Sequence, residues 1–245
     1  MLKPLFNGTG VMRVGALMSG SGSNLRKIIA HQQEGNYQVV VIFSDNKSSN
    51  AKQIGLENEI PVKEIDINEF YASIGKKKSD LANRPDYDKL VVNALLPFNL
   101  DLLAYCGYMS IASSVLTKAF LGVNVHPADL SIEENGKRKF TGGHAVLDAL
   151  KTGEKTISST THLVEEVVDG GRLLLLSKKM QVIWPNGIGE LQAASENQER
   201  LKIQGDWVIY PKTLEFIAKK RLGQDEFGGI YLDKKSIPKG YRLEL

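Results

Sequence analysis

The sequence predicts an α/β fold, a Rossmann-like three-layer domain around a mainly parallel central sheet. Short apolar runs alternate with segments of helical spacing, the pattern of βαβ units. Most runs are apolar at successive positions, as strands buried on both faces are. The best-formed runs end in Gly-, Ser- and Asn-rich turns, the chemistry of ligand-binding loops at a sheet's carboxyl edge.

Residues 11–18 read as a strand ending at Ser19-Gly20-Ser21-Gly22-Ser23-Asn24, and 25–31 as the helix that follows. Residues 37–43, Tyr-Gln-Val-Val-Val-Ile-Phe, are a second strand closed by Ser44-Asp45-Asn46. Residues 51–57 read as a helix and 62–65 as a third strand. The stretch 68–88 is polar and centred on Lys76-Lys77-Lys78, which reads as a solvated face. A helix over 87–96 stops at Pro97, and a strand occupies 101–108. Residues 113–120 form a short helix with Ser113 or Ser114 as cap. A strand over 122–126 follows. Residues 131–139 read as a polar loop turning at Asn135-Gly136, and 143–150 as a helix. Strands over 156–164 and 172–182 form an antiparallel pair. Residues 190–221 are mainly helical with Pro211 at a start or kink, and 223–245 suggest a terminal hairpin.

With 245 residues, 42% hydrophobic and 24% charged, one folded domain is expected over 11–245, after an N-terminal extension of 1–10. A net charge of +3 suits an anionic small molecule and falls short of a nucleic-acid-binding stripe. The single cysteine, Cys106, excludes an intramolecular disulfide and points to a reducing compartment, with cytoplasm as the default. No apolar run approaches the roughly 20 residues of a membrane helix, and 1–10 lack a secretory signal's apolar region. Four dispersed histidines make no metal site. The expected partners are small molecules, with neither nucleic acid nor membrane, and the chain is expected as a monomer or homodimer.

Three motifs carry chemistry. The loop Gly20, Ser21, Gly22, Ser23, Asn24 lies between strand and helix, where backbone N–H groups and the helix dipole suit a phosphate. It is not a Walker A loop, and a monophosphate fits it better than a dinucleotide. Asn124-Val125-His126-Pro127 ends a strand with an amide and an imidazole on one side. Asp169-Gly170-Gly171 places a carboxylate at a turn, where it is able to orient that imidazole. Asn124, His126 and Asp169 together suit acyl transfer, which needs proton transfer and hydrogen-bond donors for an oxyanion. His162 and His144 are candidates to support the trio by hydrogen bonding.

Taken in order, these motifs resemble the 10-formyltetrahydrofolate-dependent formyltransferases, and among them the branch acting on phosphoribosylglycinamide. The resemblance runs from about residue 13 to the end. It rests on Ser19-Gly20-Ser21-Gly22-Ser23-Asn24-Leu25, Phe43-Ser44-Asp45-Asn46, Gly107-Tyr108-Met109-Ser110-Ile111, Asn124-Val125-His126-Pro127, His162 seven residues before Asp169-Gly170-Gly171, Ile209-Tyr210-Pro211, and Pro238-Lys239-Gly240-Tyr241. It implies that Asn124 and protonated His126 stabilise the tetrahedral intermediate, with Asp169 raising the pKa of His126 and ordering a water. It implies a folate site at Arg84, Met109, Ser110, Ile111, Ala112, Val167 and Val168, and an acceptor contact at Asp206. The implied co-substrate is 10-formyltetrahydrofolate, with no metal, and the implied acceptor is glycinamide ribonucleotide in purine synthesis.

The chain departs from the family at Ala128-Asp129-Leu130-Ser131, in the longer loop through Lys137-Arg138-Lys139-Phe140, at Ser110 in place of arginine, and at Trp207 in place of histidine. Three alternatives stay open: a 10-formyltetrahydrofolate hydrolase, a formyltransferase for another amine such as a sugar nucleotide, and a non-catalytic phospholigand-binding module. Hydrolases of this type carry an extra N-terminal domain, whereas about a dozen residues precede the first strand here.

Overall fold

A computed structural model describes residues 1–244, which divide into two compact units. One comprises Gly8–Asn124 with Val164–Glu166; the other comprises Met1–Asn7, Val125–Leu163 and the described residues from Val167 onward.

The Gly8–Asn124 unit is built on parallel strands. Met12–Met18 lies between Tyr37–Ser44 and Leu102–Tyr105; Val62–Glu64 pairs outside Tyr37–Ser44, and Gly122–His126 outside Leu102–Tyr105. The register sets Leu17 opposite both Phe43 and Tyr105, and Tyr105 opposite Asn124. The central strand reads Met-Arg-Val-Gly-Ala-Leu-Met with only Arg13 exposed, so both faces are covered, as a parallel strand requires. Helices Ser23–Gly35, Ala51–Glu57, Ile67–Ser73, Arg84–Leu95 and Ser114–Ala119 belong to this unit. Its core joins Leu17, Phe43 and Leu103 of the strands to Tyr71, Tyr87 and Val91 of the helices.

In the other unit, Thr160–Leu163 runs antiparallel to Leu173–Leu176, which pairs in parallel with Tyr241–Arg242. Thr156–Ile157 pairs antiparallel with Met180–Gln181. The N-terminal Lys3–Pro4 pairs with Leu222–Gln224, so these first residues add an edge strand to the hairpin that Leu222–Gln224 makes with Ile230–Leu232. Phe140, Val146, Leu150, Ile157, Met180 and Leu201 form the core around helices Ala145–Lys151 and Glu190–Leu201. Arg242 reaches inward to Asp129 at 2.5 Å and to the Ser177 carbonyl at 2.7 Å, which pins the C-terminal strand to the buried Asp129. This pair accounts for the departure at Asp129: its carboxylate is matched by Arg242, Ser131 and Ser158.

Parallel strands joined through helices make this a Rossmann-like α/β fold with a mainly parallel sheet. No helix of the described residues is long and apolar enough to cross a membrane.

The expected extension 1–10 contributes the Lys3–Pro4 strand, and the expected strands 156–164 and 172–182 are each broken into two short strands. The structure differs from the sequence reading in four further places. The polar stretch after residue 66 contains a helix, Ile67–Ser73, started by Asp66, whose carboxylate accepts the N–H groups of Asn68 and Glu69. The expected strand over 101–108 is only Leu102–Tyr105. The expected loop 131–139 holds a two-stranded ribbon, Glu133–Glu134 with Lys137–Arg138. It turns through Asn135 at φ 53° and Gly136 at φ 73°, the conformation that favours Asn-Gly. Finally, Pro211 does not start a helix, one of the two positions expected for it. It lies inside Trp207–Ala218, and a wide π-turn at Lys202–Asp206 precedes that helix. Such a turn is a usual accommodation for irregular helical hydrogen bonding.

Candidate active site

Strand Gly122–His126 carries Asn124 half-buried and His126 buried, two residues apart and therefore directed to the same side. The His126 ring is held at two points. Nε2 lies 2.9 Å from the carbonyl oxygen of Phe140, which only accepts, so Nε2 carries the proton. Nδ1 lies 3.5 Å from Oδ2 of Asp169. The Asp169 carboxylate stands between two imidazoles, its Oδ1 lying 3.6 Å from Nε2 of His162. The other ring nitrogen of His162 is 2.8 Å from the Leu163 carbonyl.

The turn that presents Asp169 explains its sequence. Asp169 has φ 52°, a left-handed conformation that Asp tolerates better than most residues. At Gly170 a Cβ would meet the Cβ of Val167 at 2.7 Å, so the backbone approach needs glycine. The Gly142 N–H donates to Oδ2 of Asp169 at 2.7 Å. Arg138 donates one guanidinium N–H to the Asp169 carbonyl and a second to the Gly171 carbonyl, the latter at 2.7 Å. Sequence reasoning missed Arg138, Phe140 and Gly142 as parts of this site. They lie 27 to 31 residues from Asp169 or 14 from His126, at spacings that carry no periodic signal; Thr141-Gly142-Gly143 was the only local cue.

Burial and charge divide the pair's protonation. Burial of Asp169 favours its neutral form, but the hydrogen bond from His162, the nearby His126 and the Gly142 N–H outweigh it, lowering its pKa to about 2. His126 goes the other way from expectation. Asp169 does pull its pKa upward, but desolvation is the larger effect and the net shift is downward from the ordinary imidazole value. The resting pair is thus a neutral imidazole beside an ionised carboxylate.

His144 is exposed at the start of helix Ala145–Lys151 and makes no capping bond. Asp206 is buried in the π-turn, where it accepts the Ser159 hydroxyl at 2.5 Å. Val167 and Val168 are exposed.

The Gly8–Asn124 unit holds the serine-glycine loop. Gly22 precedes helix Ser23–Gly35 at φ 70°, and no side chain caps that helix. The loop's carbonyls are drawn the other way. Asn46 Nδ2 donates to the Ser19 carbonyl at 2.8 Å, and the Asn50 N–H to that of Gly20 at 3.0 Å. The N–H groups of the helix's first turn are those an anion takes. A Cβ at Gly22 would stand 2.4 Å from Cδ1 of Ile54 and 2.9 Å from Cε of Met18. Gly22→Ala is therefore expected to cost about 2 kcal/mol or more from backbone strain and crowding, read as a lower midpoint in urea unfolding.

Next to that loop, the Met109 N–H donates to the Ser19 hydroxyl at 2.8 Å. Met109 and Ile111 are exposed, Ala112 is half-buried, and Ser110 turns inward so that its hydroxyl donates to the buried Asp45. Arg84 is buried too. Its guanidinium donates to the Ile111 carbonyl at 3.2 Å and the Tyr71 hydroxyl at 3.3 Å, so it holds the 109–112 loop from beneath.

Residues 12–204 match the Formyl transferase family model. The chain is 26% identical over 237 residues to the phosphoribosylglycinamide formyltransferase of Haemophilus influenzae, covering 95% of this chain and 99% of that protein. It is 28% identical over 222 residues to the human trifunctional purine biosynthetic protein adenosine-3, covering 89% of this chain and 19% of that longer protein. The phosphoribosylglycinamide formyltransferase structure from Coxiella burnetii superposes with a TM-score of 0.74 at 19% identity, covering 95% of this chain and 99% of the other.

Proposed function

This chain belongs to the Formyl transferase family, and on that premise we propose that it moves the formyl group of 10-formyltetrahydrofolate to the amine of glycinamide ribonucleotide. The observation that carries the proposal is the buried His126–Asp169 contact at 3.5 Å, with Asn124 on the same strand. Relatives named for this activity, matched along their whole length, support the choice of acceptor.

In this reading the acceptor amine adds to the formyl carbon. The Asn124 amide donates to the oxygen that becomes negative, a contribution of a few kcal/mol for a well-placed donor. Neutral His126 takes up the proton released by the amine, directly or through a water beside Asp169. The imidazolium so formed is stabilised by the ionised Asp169, and it returns the proton to the departing N10 of tetrahydrofolate. One proton leaves the amine and one reaches the folate, so the sequence balances. The acceptor's phosphate sits on the N–H groups of Gly22, Ser23 and Asn24, with Gly20 and Ser21 shaping the loop. The 109–112 backbone holds the pterin, and Arg84 contributes by fixing that loop. Asp206 serves the acceptor side.

Arg138 acts in this scheme as a positioning residue. Arg138→Met is expected to lower kcat by about tenfold to a hundredfold with little change in KM, because Asp169 loses its backbone clamp; Arg138→Lys recovers only part. Steady-state kinetics of the two variants check this.

The test of the function is donor consumption with and without an amine, run against a panel of phosphorylated amines. Turnover that requires glycinamide ribonucleotide is the expected result. Consumption without any amine identifies a hydrolase, and no consumption with any acceptor contradicts catalysis altogether.

A further inference from the structure

We propose that Asp45 is a positioning residue for the folate co-substrate: through the Ser110 hydroxyl it fixes the 109–112 loop in the form that binds the pterin. This rests on the folate reading above and adds to it the group that shapes the loop from beneath.

Asp45 follows strand Tyr37–Ser44, and Ser110 comes after strand Leu102–Tyr105. Strand Met12–Met18 lies between the two, so the Asp45–Ser110 bond spans a third strand and joins residues 65 positions apart. Ser19, which follows that middle strand, is tied to both neighbours. The Asn46 amide donates to its carbonyl at 2.8 Å, and the Met109 N–H donates to its hydroxyl at 2.8 Å.

Both members of the pair are buried, Asp45 at 1% exposure and Ser110 at 6%. The residues on either side of Ser110 face outward, since Met109 and Ile111 are exposed. The loop thus presents an outer rim to a ligand and keeps its polar ties inside. After the Met109 tie come three more: the Ser110 hydroxyl donates to Asp45, the Ile111 carbonyl accepts from Arg84 at 3.2 Å, and the Ser113 N–H donates to Asp88 at 2.6 Å.

A carboxylate is an unfavourable group to bury at this place. Its Oδ2 takes the Ser110 hydroxyl, whereas Oδ1 has no hydrogen-bond partner among the described residues. A buried polar atom without a partner destabilises a fold. Local conflicts of this kind persist where they keep a functional segment in shape. Asp45 lies beneath the loop, so its effect on a ligand passes through Ser110. A loop already held in its binding form need not be ordered by the ligand, and the pair's contribution therefore appears in folate affinity.

The experiment is titration calorimetry of the intact protein with tetrahydrofolate and, separately, with glycinamide ribonucleotide, for the wild type, D45A, S110A and D45A/S110A. Each single variant is expected to raise the Kd of tetrahydrofolate about tenfold, the scale of one lost hydrogen bond to a carboxylate. The Kd of the ribonucleotide should stay within about twofold, which a general loosening of the fold would not allow. The double variant should match the single ones, because each residue acts through the other. D45N keeps an oxygen that accepts the Ser110 hydroxyl and should recover most of the folate affinity. S110A removes one oxygen atom and decides the matter if D45A does not fold. An unchanged folate Kd in S110A, equal losses for both ligands, or effects that multiply in the double variant overturn the role of Asp45 and leave the folate reading standing. A wild type that binds no tetrahydrofolate defeats the folate reading and the proposal together.

Discussion

His126→Ala is expected to lower turnover by about three orders of magnitude, within the range that a positioned acid–base group contributes. The alanine variant has no group to collect the amine's proton and return it to the folate, while the phosphate loop and the 109–112 loop are untouched. The fold should survive. The substitution removes the donor to the Phe140 carbonyl, a loss on the order of 1 to 3 kcal/mol for one buried acceptor left without a partner. Rapid-mixing kinetics together with urea unfolding separate the two effects. The downward pKa of His126 adds a signature in the pH profile. The neutral imidazole is the working form, so kcat/KM in the wild type should stay level as pH falls past the ordinary imidazole value near 6.5, and decline only below it. A profile that rises on acidification would mean that the protonated ring is required at the outset.

Asp169→Asn should lower kcat by about two to three orders of magnitude, because the amide cannot offset the charge of the imidazolium formed during transfer. It also carries the largest pH effect on stability. In the folded protein the Asp169 carboxyl titrates at about 2, below the 3.8 of an unperturbed aspartate. Between those values the unfolded chain binds the proton and the folded chain does not, so stability is present above the window and is lost as pH falls through it. The amount is on the order of 2 kcal/mol. His126 contributes in the same direction over a higher window. Its folded pKa lies below its unfolded one, so acidification below about 6.5 favours the unfolded chain first. Urea midpoints measured at descending pH should show both losses in the wild type and lack the lower one in Asp169→Asn. An unchanged acid limb in the variant would remove Asp169 as its source.

The parallel strands were legible because they are apolar at successive positions. Tyr37–Ser44 and Gly122–His126 stand within a residue of where composition places them. Helix Ala51–Glu57 matches its expected bounds. Helix Ile67–Ser73 was hidden because the window that contains it is dominated by polar residues and three lysines. Its Asp66 cap was a readable signal that the charge run obscured. In the site, strand alternation is enough to pair Asn124 with His126, and Asp-Gly-Gly marks the turn of Asp169. What sequence cannot supply is the net of opposing effects at one ring. The attraction of Asp169 for a proton on His126 was foreseeable from residue types, whereas its defeat depends on how deeply the fold buries the imidazole. Arg84 shows the same limit. Its position in the chain suggests a ligand contact, and only the packing of Tyr71, Tyr87 and the Ile111 carbonyl reveals that its guanidinium works from inside.

The most direct measurement is to follow an isotopically labelled formyl group from 10-formyltetrahydrofolate in a single turnover with glycinamide ribonucleotide, using the wild type and His126→Ala. The account predicts label in the formylated ribonucleotide for the wild type and almost none within the same time for the variant. Label released as formate, or equal transfer by both proteins, would contradict it.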